Sequence, residues 1–403
     1  MKVLQINCVS HKGSTGKITY DIHKSLLAAG EDSVVCYGRG DRIEEPGVYK
    51  TCGEIYAKCN NLLTRFTGVM YGGCFFSTRN LIRIIKKERP DIVHLQCING
   101  YFANIYRLLS WLKKQGMETV LTLHAEFMYT ANCAHALDCE KWKTGCGQCP
   151  RFRKETKSLF LDGTATSHRR MWDAFEGFDN LTVVSVSPWL MDRARQSPLL
   201  VDKRHRVILN GVDTDIFRPC AADGIREKHG LKDEKVIFHV TPNFSDDPTH
   251  IKGGYYVLKL AEMLRDENVK IIVAGQCDKN LRIPENVIML GQVRDQRVLA
   301  RYYSMADVTL LTSQKETFSM VTAESLCCGT PVVGFRAGAP EQIAIADHSR
   351  FVEWGNLNLL KQSLADMLEE KGGRQAIAEK AEQKYAKRTM LSQYQALYRE
   401  LVK

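Results

Sequence analysis

The feature that most restricts how this chain can fold is a regular alternation of short β-branched runs with segments of helical periodicity. Apolar runs of strand length lie at 2–9, 33–37, 91–97, 119–124, 181–187 and 206–209, then at 235–241, 269–274, 287–290, 307–312 and 331–335. Most are separated by stretches with one apolar helical face, such as 16–29, 77–88, 255–264 and 321–328. Runs that are apolar throughout need cover on both faces, and crossover helices provide it, so parallel, doubly wound sheets are expected. A chain of 403 residues exceeds what one core serves. The expected fold is therefore α/β with two Rossmann-like domains and a cleft between them, the first over 1–218 and the second over 219–384. The polar, turn-forming stretch 213–231 reads as the linker, and a terminal helix at about 385–403 is expected to pack back on the first domain. In such sheets ligands bind beyond the carboxyl ends of the strands, where loops lead into helix N-termini.

Composition narrows the class. Apolar residues at 44% and charged residues at 25% fit an ordinary globular protein, and no transmembrane helix is expected. The first nine residues are too briefly apolar for a signal peptide, and Gln5 and Asn7 interrupt them. A cytoplasmic location is expected, in which the fourteen cysteines are mostly reduced. The net charge of +10 is uneven: residues 1–218 carry 31 Lys and Arg against 22 Asp and Glu, whereas 219–403 carry 25 against 24. The basic half suits an anionic partner, a membrane surface or a phosphate-bearing acceptor, or is simply a solvated basic face.

The most informative segment runs from Glu316 to Gly334. It reads as strand end, loop, short helix starting near Ser319 or Met320, glycine stop at Gly329 and the strand Pro331-Val332-Val333. Amides at such a helix start can hold a diphosphate. Glu316 precedes the helix and Glu324 lies about one turn into it. Carboxylates beside a phosphate repel it unless they bind hydroxyls, which sugar and ribose provide. Lys252, ahead of Gly253, Gly254 and another helix, supplies a positive charge.

These residues resemble the retaining GT-B glycosyltransferases of family four, whose signature is two glutamates with this spacing, a helix stop and a Gly-Thr-Pro-Val-Val strand. The resemblance implies that Glu316 contacts the transferred sugar, the backbone of Phe318, Ser319 and Met320 the phosphates, and Glu324 the ribose. It likewise implies Lys252 as the phosphate-binding lysine and Val293, after Gly291-Gln292, as the strand end that meets the base. Members commonly carry an Arg after the first strand of this domain, where this chain has Val240-Thr241-Pro242-Asn243.

In the N-terminal half, Gly13 and Gly16 open a helix, but only two residues separate them, which excludes a P-loop. A plain turn and the family's glycine loop both remain open. His124 ends a strand and by resemblance contacts the donor sugar; its alternative is a satisfied buried histidine. Family relatives often follow this His with Asp, whereas here Ala125 and Glu126 follow. His94, Asn99 and Gly100, at the end of another strand, are read as surroundings of the acceptor. Cys133, Cys139, Cys146 and Cys149 form a C-x5-C-x6-C-x2-C cluster that suits a structural zinc knuckle, disulfides or unligated thiols.

The resemblance implies transfer of a sugar from a UDP- or GDP-linked donor to a glycan or lipid-linked acceptor in bacterial surface polysaccharide synthesis, with no cofactor required for catalysis and anomeric configuration retained. It would act on the inner face of the cell membrane. Two other readings stand beside it: a nucleotide-sugar epimerase on the same fold, and a basic zinc-containing nucleic-acid adaptor. The second lacks basic runs interleaved with aromatics, so no nucleic-acid partner is expected.

Overall fold

A computed structural model of the chain describes residues 1–277, 280–370 and 372–402. It divides into two compact units, Met1–Leu209 with a return segment from Leu391, and Asn210–Met390. The chain thus passes into the second unit nine residues before the boundary read from composition. The reason is local: Val212 forms a parallel bridge with Ala386, its amide bonding the Tyr385 carbonyl, so 210–218 is tied to the second unit.

The first unit holds a seven-stranded parallel sheet: β1 (Lys2–Asn7), β2 (Asp32–Tyr37), β3 (Val48–Lys50), β4 (Ile92–Leu95), β5 (Glu118–Leu123), β6 (Leu181–Ser185) and β7 (Arg204–Val207), in the order β3-β2-β1-β4-β5-β6-β7. The second holds a six-stranded one: β8 (Lys235–Phe244), β9 (Val269–Cys277), β10 (Val287–Gly291), β11 (Val308–Leu311), β12 (Val332–Phe335) and β13 (Ser349–Val352), in the order β10-β9-β8-β11-β12-β13. Both are α/β Rossmann-like. Strand order reverses between β1 and β4 in one sheet and between β8 and β11 in the other, and the crevice at such a switch is where open α/β sheets bind ligands.

Local chemistry fixes several of the helices that join these strands. Asn104, Ser187, Asp295 and Asn356 each accept an amide hydrogen bond at the start of a helix, and Pro188 occupies a first helical turn. Each cap contributes about 1 kcal/mol. The second core is built from Ile237, Ile271, Leu310 and Phe335 on the sheet, covered by Val257 and Leu260 of helix Gly254–Met263 and Leu364 of helix Leu357–Glu369. Helix Lys387–Leu401 begins in the second unit and ends in the first, where Tyr394 and Tyr398 are fully buried. Among the described residues no helix is long and apolar enough to cross a membrane.

Candidate active site

In the second unit, three loops converge at the carboxyl ends of β8, β11 and β12. Gly253 has φ +67, and a Cβ there would stand 2.0 Å from the carbonyl oxygen of Thr312, so only glycine lets the loop lie against the end of β11. Two further bonds clamp it: Gln314 N donates to Ile251 O at 2.8 Å and Thr312 Oγ1 to Lys252 O at 3.1 Å. Lys252 is thereby aimed at Glu316, and its Nζ stands 2.6 Å from Oε1. Glu316 is held in turn by a parallel bridge to Gly338, its amide donating to Ala337 O at 2.9 Å. Glu341 fixes that partner loop by accepting from the amides of Ala337 and Gly338.

Phe318 and Ser319, both buried, lead into helix Met320–Cys327. Ser319 sits at φ +80, a conformation non-glycine residues rarely adopt and one found where function constrains a backbone. Its Oγ accepts from Thr322 N at 3.2 Å. The amides of Met320 and Val321 have no acceptor within the helix, because the first turn of any helix leaves its N–H groups open. Positive charge from Lys252 and open amides at a helix start form an anion-binding arrangement, with the Glu316 carboxylate beside it. Glu324, one turn further on, is nearly buried and accepts from Tyr303 Oη at 3.3 Å. Val293 lies past the carboxyl end of the edge strand β10, in the loop to helix Gln296–Met305.

The first unit assembles a second edge, at the β1–β4 switch. Asn7 staples it: Oδ1 accepts from Cys97 N at 2.9 Å and Nδ2 donates to Val9 O at 2.7 Å. Gly13, φ +67, begins helix Gly13–Ala28 and is exposed, while Gly16 packs against Val9 and His11, where a Cβ would come within 3.1 Å of the Val9 side chain. After β4, Asn99 Oδ1 accepts from Cys97 Sγ, and Gly100, φ +125, leaves room for Cys8 Sγ. At the end of β5, His124 Nε2 donates to Gln96 Oε1 at 2.9 Å. Surrounding protein holds its imidazole down to about 4, so the ring is neutral near pH 7 and Nδ1 is a lone-pair acceptor, the kind of atom that takes a hydrogen bond from a hydroxyl.

One expectation needs correction. His94, read as acceptor surroundings, is 0% exposed; its Nδ1 bonds Tyr398 Oη at 2.6 Å and its Nε2 bonds Thr122 Oγ1 at 2.7 Å. Burial pushes it down to about 3, and it works as a neutral bolt between β4 and the C-terminal helix. Glu126, to which the sequence assigns no role, is fully buried, accepts from Arg193 Nε at 2.6 Å and from Ala136 N, and pins the loop that follows His124. For the four loop cysteines the sequence leaves a zinc site, disulfides and unligated thiols open. Among the described residues no group of three or more His, Cys, Asp or Glu could hold a metal ion, and all four carry free thiols. The loop is organised around Trp142 instead, 1% exposed, packed on Tyr129 and beneath the Arg193 guanidinium, with its indole N–H donated to Cys139 O.

Sequence reasoning missed Asn7, Gln96, Thr312 and Glu341. The only signal for them was their position at strand ends or just inside a helix.

Two sequence families match the chain: one described as Glycosyltransferase Family 4 over residues 15–216, and one described as Glycosyl transferases group 1 over 223–384. Among curated relatives, the putative colanic acid biosynthesis glycosyl transferase WcaC of Escherichia coli K12 is 23% identical over 359 residues, covering 85% of each chain. N-acetyl-alpha-D-glucosaminyl L-malate synthase of Bacillus anthracis is 24% identical over 218 residues, 50% of this chain and 55% of its own. Among solved structures, sucrose-phosphate synthase from Thermosynechococcus elongatus aligns with a TM-score of 0.68 at 17% identity, covering 100% and 99% of the two chains. HepE from Anabaena, in complex with UDP-glucose, aligns at 0.66 and 14% identity over 99% and 100%.

Proposed function

The chain belongs to glycosyltransferase family 4 and is a glycosyltransferase, and on that premise we propose that it transfers a hexose, with retention of configuration, from a nucleotide-diphosphate donor to a glycan or lipid-linked acceptor of a bacterial surface polysaccharide. The observation that carries this reading is the Lys252–Glu316 pair, 2.6 Å apart, next to the open start of helix Met320–Cys327. A cation and helix amides suit a leaving diphosphate, and a carboxylate beside them suits a sugar hydroxyl. Colanic acid in the name of the Escherichia coli relative supports the polysaccharide setting, and UDP-glucose in the Anabaena complex supports a uridine donor over a guanosine one.

The step balances without a protein nucleophile. The bond from sugar C1 to the donor phosphate oxygen breaks, the acceptor oxygen bonds C1 on the same face, and the acceptor proton passes to the departing phosphate. Lys252 and the amides at Met320 and Val321 stabilise the charge that builds on that phosphate. Glu316 and the neutral His124 hold sugar hydroxyls, Glu324 the ribose and the Val293 strand end the base. The Gly13–Gly16 loop is assigned to the donor, and Asn99 and Gly100 to the acceptor. The basic N-terminal half fits work on a lipid-linked acceptor at the inner face of the cell membrane.

Thermal unfolding with a panel of nucleotide sugars tests the reading. A true donor at a hundredfold its dissociation constant stabilises by about 2.7 kcal/mol. Stabilisation by none of the panel, or release of an epimerised nucleotide sugar in the absence of acceptor, would overturn it.

A further inference from the structure

Helix Glu54–Thr67 is amphipathic the wrong way round for a packed helix. Its buried side carries Ala57, Asn60 and Thr64, while Ile55, Leu62, Leu63 and Phe66 face solvent. A surface helix normally turns its apolar stripe to the core. The exposure is not scattered: nine of the fifteen exposed large apolar side chains among the described residues fall on this helix, on the start of helix Phe75–Glu88, and at 159–161. They are contiguous. Phe66 stacks on Phe160 with ring centroids 6.2 Å apart, Leu159 N donates to Arg65 O at 2.7 Å, and Phe76 lies 6.1 Å from the Tyr56 ring. Phe76 is 78% and Phe160 67% exposed, so the patch projects rather than fills a recess. Monomers rarely leave a continuous apolar patch of this kind uncovered.

The surrounding charge is predominantly positive. Residues 54–89 contain seven Lys and Arg against two acids, and 151–162 four against two. Three of those acids are already occupied: Glu54 pairs with Arg39, Glu88 with Lys2 and Glu155 with Arg151. Lys58, Arg65, Arg79 and Lys157 stand exposed beside the apolar side chains.

We propose that this face is an interfacial membrane-binding surface, inserting Leu62, Phe66, Phe76 and Phe160 among the acyl chains of an anionic phospholipid bilayer while the cations meet its headgroups. Apolar residues at depth with Lys and Arg at the rim are what an interfacial helix needs. A second copy fits less well, because a self-facing dimer sets the same cationic rim against itself. The proposal rests on the membrane setting in the proposed function and names the surface that serves it.

Co-sedimentation of the full chain with vesicles tests it, using phosphatidylcholine alone and phosphatidylcholine with 30% phosphatidylglycerol, about a third anionic lipid. Binding is expected to favour the anionic vesicles strongly. Leu62→Ser with Phe66→Ser and Phe160→Ser is expected to weaken partition about tenfold or more, and Lys58→Glu with Lys157→Glu at least about fivefold for each charge. The charge variants alter exposed side chains and keep the test open should the serine variant fail to fold. Equal binding to both vesicles, variants that bind as wild type does, or a wild-type dimer that the serine variant dissociates without any vesicle binding would each overturn the proposal. Nucleotide-sugar stabilisation, measured without lipid, reports the donor site separately, so either reading can fail while the other stands.

Discussion

Glu316→Gln should bind a bare nucleoside diphosphate more tightly than wild type while losing transfer. Glu316 holds the Lys252 ammonium at 2.6 Å, with 29% of the lysine and 17% of the glutamate side chain exposed. A phosphate arriving at Lys252 must displace that carboxylate and lie beside its charge. At 2.6 Å and an effective dielectric of 20 the direct attraction is about 6 kcal/mol before desolvation. Exposed pairs retain only about 0.2–1 kcal/mol, and breaking buried ones costs about 3–5. A pair of intermediate exposure should lie near 1–2 kcal/mol, so Glu316→Gln is expected to tighten UDP or GDP binding about five- to thirtyfold. Lys252→Ala removes a charged hydrogen bond to phosphate, about 1.5–3 kcal/mol, and should weaken binding about ten- to more than a hundredfold. Titration calorimetry at fixed ionic strength, alongside a transfer assay, reads both. Unchanged affinity in the two variants would refute the phosphate assignment, and normal transfer by Glu316→Gln would remove Glu316 from the sugar.

Glu126→Ala strands the Arg193 guanidinium, 15% exposed, and should destabilise the first unit by about 3–5 kcal/mol in chemical denaturation; a loss below about 1 would contradict its role as the buried anchor. Gly253→Ala drives a methyl into the Thr312 carbonyl, so it should weaken nucleotide binding through a displaced Lys252 and lower stability by about 2 kcal/mol or more, and wild-type behaviour in both would refute the clamp. His94 stays neutral in the folded unit down to about pH 3, against an ordinary value of 6.5, so the unfolded chain binds one more proton between those values. Its share of stability is full above about 6.5 and falls by about 1.4 kcal/mol per pH unit as the pH drops toward 3, and His94→Gln should flatten that acid-side slope by about one proton; identical slopes would exclude it.

The strands were legible because burial on both faces leaves few polar positions: every run read as a strand from 2–9 to 331–335 lies on one of the thirteen observed. Two were missed, β3 and β13, both short edge strands with polar or half-exposed residues, which carry a weaker pattern. Motif spacing placed Glu316, Lys252 and the helix after Ser319, because a helix start and a glycine loop are local devices. His94 was misplaced, and Glu126 was left without a place, for the opposite reason. Their partners, Tyr398 and Arg193, are 304 and 67 residues away, and no local pattern distinguishes a polar side chain that meets solvent from one that meets a distant partner in the core. The cysteine spacing left three readings open similarly, since spacing along a loop does not disclose that a buried Trp142 organises it.

The C-terminal helix has a consequence for synthesis. Tyr394 and Tyr398 complete the interior of the first unit through Thr122 and His94, yet the ribosome makes them only after the whole second unit has been synthesised. During translation the N-terminal sheet must wait with one flank unsealed, so chaperone capture of nascent chains should persist until the residues beyond Leu391 are released.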